Sequence, residues 1–189
     1  MSKNGLLMMT AFPENSAIEI SAVKSLTKEP TVLTHKLPLQ DFKLKKICFV
    51  CTGNTCRSPM AAAVANELGR NIGITAVSAG LFPNVGEKIS ENALIALSKA
   101  GFKPVEGNMF VNHRAILLTK EILIQCDCVI GITESHFMTM LRAFPSYAQK
   151  LSVMPKNIRD PYGCDIKEYD NCLLEITKGV KELLGIENN

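Results

Sequence analysis

Cys51 and Arg57 stand six residues apart in the stretch Lys46-Ile47-Cys48-Phe49-Val50-Cys51-Thr52-Gly53-Asn54-Thr55-Cys56-Arg57-Ser58-Pro59. A thiol and a guanidinium on one short loop suit phosphate chemistry, the first as nucleophile and the second as counter-charge. The apolar run Ile47 to Val50 predicts a buried strand, Ser58 a helix N-cap, and Pro59 the first helical residue, where its missing N–H costs nothing. The turn between them offers backbone N–H groups and a helix dipole to an anion. Gly53 permits a tight turn and Asn54 tolerates positive φ. A cysteine of purely structural role at a strand end is the competing reading, and this context argues against it. A leaving-group acid must come from elsewhere. Arg159-Asp160-Pro161-Tyr162-Gly163 supplies one, although alone it is an ordinary turn with Asp and Pro in favoured places.

The elements that must position these residues read as alternating strands and helices. After the first loop, Pro59 to Arg70 predicts a helix with Met60, Val64 and Leu68 on its buried face. Ile74 to Val77 predicts a second strand, ending in Ser78-Ala79-Gly80, and Leu81 to Gly86 a loop on the same sheet edge as the first. Ser90 caps a helix through Lys99, and Gly101 stops it. Residues 104–115 are irregular, and His113 among them reads as structural. Thr119 begins a short helix, Cys128 to Ile132 is a third strand, Thr133 to Ala143 a helix and Leu151 to Met154 a fourth strand. Ile166 to Leu184 closes the domain as a helix. Asp160 thus follows the last strand, on the edge where open α/β sheets bind ligands.

The chain has 189 residues, 47% of them hydrophobic, which fits one α/β domain with a sizeable core. A net charge of +3 without an aromatic-basic stripe argues against nucleic acid. The seven cysteines, odd in number and irregular in spacing, do not form a secreted disulfide framework, so the expected compartment is the reducing cytoplasm. Cys126 and Cys128 read as small hydrophobes beside a buried strand. No CxxC pair occurs and the three histidines, His35, His113 and His136, are far apart in sequence, so no metal site is expected. No apolar run is long enough to span a membrane, and Leu6 to Phe12 lacks the flanks of a signal peptide. Residues 1–45 show no sustained period and read as an N-terminal extension of unassigned role; the domain spans 46–189.

Together these motifs resemble the low-molecular-weight protein phosphatase family. The resemblance rests on Val50 to Ala61, Ser78-Ala79-Gly80, His113-Arg114-Ala115 and Asp160-Pro161-Tyr162, in the family's order and spacing over about residues 46 to 186. It implies a three-layer αβα fold around a four-stranded, doubly wound parallel sheet. It also implies Cys51 as nucleophile, Arg57 with the N–H groups of residues 52 to 57 as phosphate cradle, and Asp160 as general acid. Ser58 would donate to the cysteine sulfur. By the same resemblance Thr52, Gly53, Asn54, Thr55, Cys56, Ser58, Phe82 and Tyr162 touch substrate, while Asn54, Ser78 and His113 hold the loop in shape. No cofactor is implied. The partners are phosphorylated proteins, and the chain is expected to act as a monomer.

Thr55 bears on the substrate. Members acting on phosphotyrosine usually carry an aliphatic residue there, whereas Cys-Thr-Gly-Asn-Thr-Cys-Arg-Ser-Pro resembles the bacterial protein-arginine phosphatases; Gly163 after Tyr162 points the same way. Phosphoarginine is therefore the first reading and phosphotyrosine the second. Arsenate reduction would need two further cysteines about eight apart, and Cys126 and Cys128 are two apart. A non-catalytic phospho-residue binding module would not need Cys51, Arg57 and Asp160 together. Cys56, five residues after Cys51, raises a reversible disulfide as a further expectation, against simple packing.

Overall fold

The computed structural model describes residues 46–186, so the expected extension over residues 1–45 lies outside the described residues. Four parallel strands, β1 (Lys46–Cys51), β2 (Thr75–Gly80), β3 (Cys128–Gly131) and β4 (Leu151–Val153), form one sheet in the order β2-β1-β3-β4. Among the described residues five α-helices cover it: α1 (Arg57–Leu68), α2 (Glu91–Lys99), α3 (Lys120–Gln125), α4 (Glu134–Ala143) and α5 (Ile166–Leu184).

Alternation along β1 explains the three layers. Ile47, Phe49 and Cys51 belong to one core, shared with Met60, Val64, Leu97, Ile176 and Val180 of α1, α2 and α5. Cys48 and Val50 point the other way, into a second core with Leu123 of α3 and Met140 of α4. A strand buried on both faces is continuously apolar, as the run Ile47 to Val50 is. Cys126 and Cys128 are buried in these two cores as free thiols.

Three readings need correction. Ser58 is not the helix N-cap: α1 begins at Arg57, with Cys56 at the cap position and no side-chain cap bond. Ser58 and Pro59 are its second and third residues, and Pro59 is tolerated because first-turn N–H groups have no intrahelical acceptor. The second strand includes Ser78-Ala79-Gly80 rather than ending before it, and pairs Gly80 with Cys51. The loop's left-handed residue is Asn54 (φ 57°), while Gly53 lies outside that region. A Cβ on Gly53 would meet only Thr55 Oγ1, at 3.7 Å, so space does not require glycine there.

Candidate active site

The first helix of the wound sheet is entered from β1, and the order β2-β1-β3-β4 makes the gap between β1 and β3 the point where the winding reverses. Ligands of open α/β sheets bind outside the strand ends at such a point. The loops after β1, β3 and β4 meet there and line a cavity of about 700 Å³, among them Thr52, Arg57, Thr133, His136, Ile158 and Asp160.

Cys51 ends β1 and is buried. Its Sγ lies 3.0 Å from Ser58 Oγ and accepts the Asn54 backbone N–H at 3.3 Å. Asn54 holds this loop through every polar group it has. Its Nδ2 donates to Ser58 Oγ (3.0 Å) and Ser78 Oγ (2.9 Å), its Oδ1 accepts from Ile116 N (2.9 Å), and its carbonyl oxygen lies 2.7 Å from His113 Nε2. These bonds maintain a backbone conformation that costs a non-glycine residue about 1 kcal/mol. Burial lowers the His113 pKa, the bond to Asn54 opposes that shift, and Arg114 adds to it, so the ring is neutral and donates to the carbonyl.

Arg57, buried on the first turn of α1, reaches across to the loop after β4. It is ion-paired with Asp160, and its Nη1 donates to the Ile158 carbonyl at 3.5 Å. Its Nε is buried and has no hydrogen-bond partner among the described residues. A buried N–H without an acceptor is costly, and a phosphoryl oxygen would satisfy it. Asp160 Oδ1 accepts from Tyr162 N at 3.2 Å, which fixes the carboxylate on its turn. Asp160 is half exposed beside the buried guanidinium.

Other expected substrate contacts are placed differently. Thr55 is buried, with Oγ1 3.6 Å from Cys56 Sγ, and Phe82 and Tyr162 are 73% and 69% exposed on neighbouring loops. Like Cys51, none of these three is among the residues that line the cavity beside Arg57. Cys56 meets Tyr169 Oη (3.2 Å) and Ser90 Oγ (3.4 Å), neither of them a partner of Cys51. Burial, and then the bond to Cys56, raises the Tyr169 pKa, so its hydroxyl keeps its proton. Among the described residues no cluster of three His, Cys, Asp or Glu is placed to hold a metal ion.

Two residues have functions the sequence does not single out: His136, counted only in the argument against a metal site, lines the cavity and bonds to Thr52 of the loop, and Tyr169, within the closing helix, supports Cys56. The signal for His136 was available: Thr133-x-x-His136 opens a helix directly after the third strand, on the loop-bearing edge.

Comparison with known proteins agrees with this geometry. The model of the family described as low molecular weight phosphotyrosine protein phosphatase matches residues 46–188. A protein-arginine-phosphatase of Bacillus subtilis (strain 168) is 31% identical over 148 residues, covering 72% of this chain and 93% of its own. Another, from Geobacillus stearothermophilus, is 34% identical over 131 residues, covering 66% and 83%. Among solved structures, a cysteine-to-serine mutant of the YwlE arginine phosphatase, with a phosphorylated active-site serine, aligns with a TM-score of 0.67 at 28% identity. It covers 74% of this chain and 93% of that one. The chain belongs to the low molecular weight protein phosphatase family.

Proposed function

We propose that this protein removes phosphate from phosphorylated arginine side chains of proteins, with Cys51 as nucleophile, Arg57 as phosphate clamp and Asp160 as general acid. The observation that carries the chemistry is Arg57, which joins the thiol-bearing loop to Asp160 and keeps a buried, unpartnered Nε for an anion.

The residues around Cys51 have separate tasks. Ser58 Oγ has one proton and two acceptors in reach, Cys51 Sγ at 3.0 Å and the Ala79 carbonyl at 3.3 Å. It turns that proton to the sulfur when the sulfur is a thiolate, and the Asn54 N–H adds a second donor. Attack of the thiolate on phosphorus forms an S–P bond as the bond to the departing nitrogen breaks, and Asp160 gives that nitrogen its proton. Asp160, now a carboxylate, takes a proton from water, whose oxygen attacks phosphorus; the S–P bond breaks and its electron pair returns to Cys51. Donors fixed before the reaction stabilise the in-line transfer at both steps.

The preference for arginine rests on Thr55 and on the relatives that share 31–34% identity with this chain. A single side-chain difference of this kind discriminates by about 1–3 kcal/mol. Peptides carrying phosphoarginine and phosphotyrosine provide the test, with kcat/KM expected to favour the first in the unmutated protein. Thr55→Ile should move the ratio toward phosphotyrosine by about tenfold. A preference for phosphotyrosine in the unmutated chain would overturn the arginine assignment. Cys51→Ser should bind phosphopeptide and release no phosphate, and undiminished release would overturn the nucleophile.

A further inference from the structure

The cavity wall beside Thr52 carries a histidine for which the chemistry above has no task. His136, on the first turn of α4, is 5% exposed, and both ring nitrogens are engaged: Nε2 lies 3.0 Å from Thr52 Oγ1 and Nδ1 2.8 Å from Thr133 Oγ1. Burial and the nearby Arg57 lower its pKa to about 4, with Asp160 opposing, so the ring is neutral near pH 7. A neutral imidazole has one donor nitrogen and one acceptor nitrogen, so the two contacts run in opposite senses.

The neighbouring hydroxyls allow two arrangements. Thr133 Oγ1 accepts the His136 backbone N–H at 3.4 Å and lies 2.8 Å from Ser135 Oγ. In the first arrangement Nδ1–H donates to Thr133, Thr133 donates to Ser135, and Thr52 spends its only proton on Nε2. In the second Ser135 donates to Thr133, Thr133 to Nδ1, and Nε2–H to Thr52, whose own proton is then free. Only the second adds a donor to the wall that Thr52 shares with Arg57 and Asp160. A phosphoryl group in that cavity is an anion and stabilises the arrangement that offers it a proton.

The surroundings leave little but this hydroxyl to be set. The Thr52 carbonyl accepts from Phe82 N at 2.9 Å, which fixes its backbone. On the other side, a Cβ on Gly131 would come within 2.8 Å of Phe137 N and 3.3 Å of the His136 carbonyl carbon, so the turn from β3 into α4 is packed tightly at the histidine.

We propose that His136 is a positioning residue that holds the Thr52 hydroxyl as an additional donor to the phosphoryl group of the substrate. This rests on the phosphatase reading of the pocket and not on the choice between phosphoarginine and phosphotyrosine.

The test uses the full chain. Nitrogen-15 NMR of labelled histidine, with inorganic phosphate titrated in, reads the tautomer; hydrolysis of p-nitrophenyl phosphate and phosphate affinity read the consequence. With phosphate bound, the His136 ring should be the Nε2–H tautomer. Thr52→Val and His136→Leu should each lower kcat/KM by about tenfold, Thr52→Ser should restore most of the loss, and the double variant should lose little more than either alone. An Nδ1–H tautomer in the phosphate complex would overturn the proposal, as would a Thr52→Val protein that binds phosphate and hydrolyses ester like the unmutated one. Losses that multiply in the double variant would also overturn it. Should His136→Leu fail to fold, Thr52→Val and the tautomer still decide. If the unmutated protein binds phosphate but hydrolyses nothing, the phosphatase reading fails, and weaker phosphate binding by Thr52→Val still supports the role of the hydroxyl.

Discussion

Asn54 sustains the phosphate loop in two ways that separate experimentally. It occupies the left-handed region at φ 57°, and its side chain satisfies Ser58, Ser78 and the Ile116 N–H in a fully buried position. Alanine would keep the conformational cost of about 1 kcal/mol and abandon three buried partners. Asn54→Ala should therefore lower unfolding free energy by about 2–4 kcal/mol in urea titrations. Asn54→Gly removes the conformational cost but not the loss of partners, so it should recover about 1 kcal/mol of that. Equal stability of the two variants would mean that the left-handed backbone carries no cost here.

Two residues at opposite edges of the sheet show how elements divide their work. Gly80, the last residue of β2, lies against the phosphate loop: a Cβ there would stand 2.8 Å from the Thr52 carbonyl oxygen and 3.1 Å from Asn54 Cβ. Gly80→Ala must shift the loop, and a displacement of about 1 Å at reacting groups costs on the order of a hundredfold in rate. Lys150, before β4 at the other edge, donates its ammonium to the carbonyls of Leu123, Ile124 and Cys126 at the C-terminal end of α3. Lys150→Met should cost about 1–2 kcal/mol of stability and leave kcat/KM unchanged, whereas Gly80→Ala should lose far more activity than stability. The same contrast explains what was legible in the sequence. The bounds of α5 and the cap of α2 at Ser90 were readable because periodicity and capping are local signals. The meeting of Arg57 and Asp160 was legible because motif order implied the sheet edge at which their loops come together. Ser58 misled because Ser-Pro imitates a helix start, while its hydroxyl is claimed by Cys51, Asn54 and Ala79 from other elements. The closeness of Gly80 to Thr52, and the bond from His136 to the loop, depend on strand order, which no local pattern contains.

At the scale of the whole domain, that strand order places a neutral histidine between β1 and β3, and the fold must bear the consequence in acid. Below about pH 6.5 the unfolded chain takes a proton on the imidazole of residue 136, while the folded chain resists until about pH 4. The unfolded state therefore binds more protons through this interval. The contribution of His136 is fully present above about pH 6.5 and is lost as pH falls toward 4. That displacement allows a loss of at most about 3 kcal/mol, less any relief from solvent reaching the cavity. His113, lowered by its own burial, adds in the same direction. Carboxylates that take up protons as pH falls contribute to the same slope, so the histidine is isolated by difference: urea midpoints at pH 7 and pH 5 for the unmutated chain and for His136→Gln, which keeps a donor and an acceptor but does not titrate. The unmutated protein should lose more stability between the two pH values than the variant does. Parallel declines would show that His136 takes up its proton as readily in the folded pocket as in the open chain, and that burial and Arg57 do not hold it neutral.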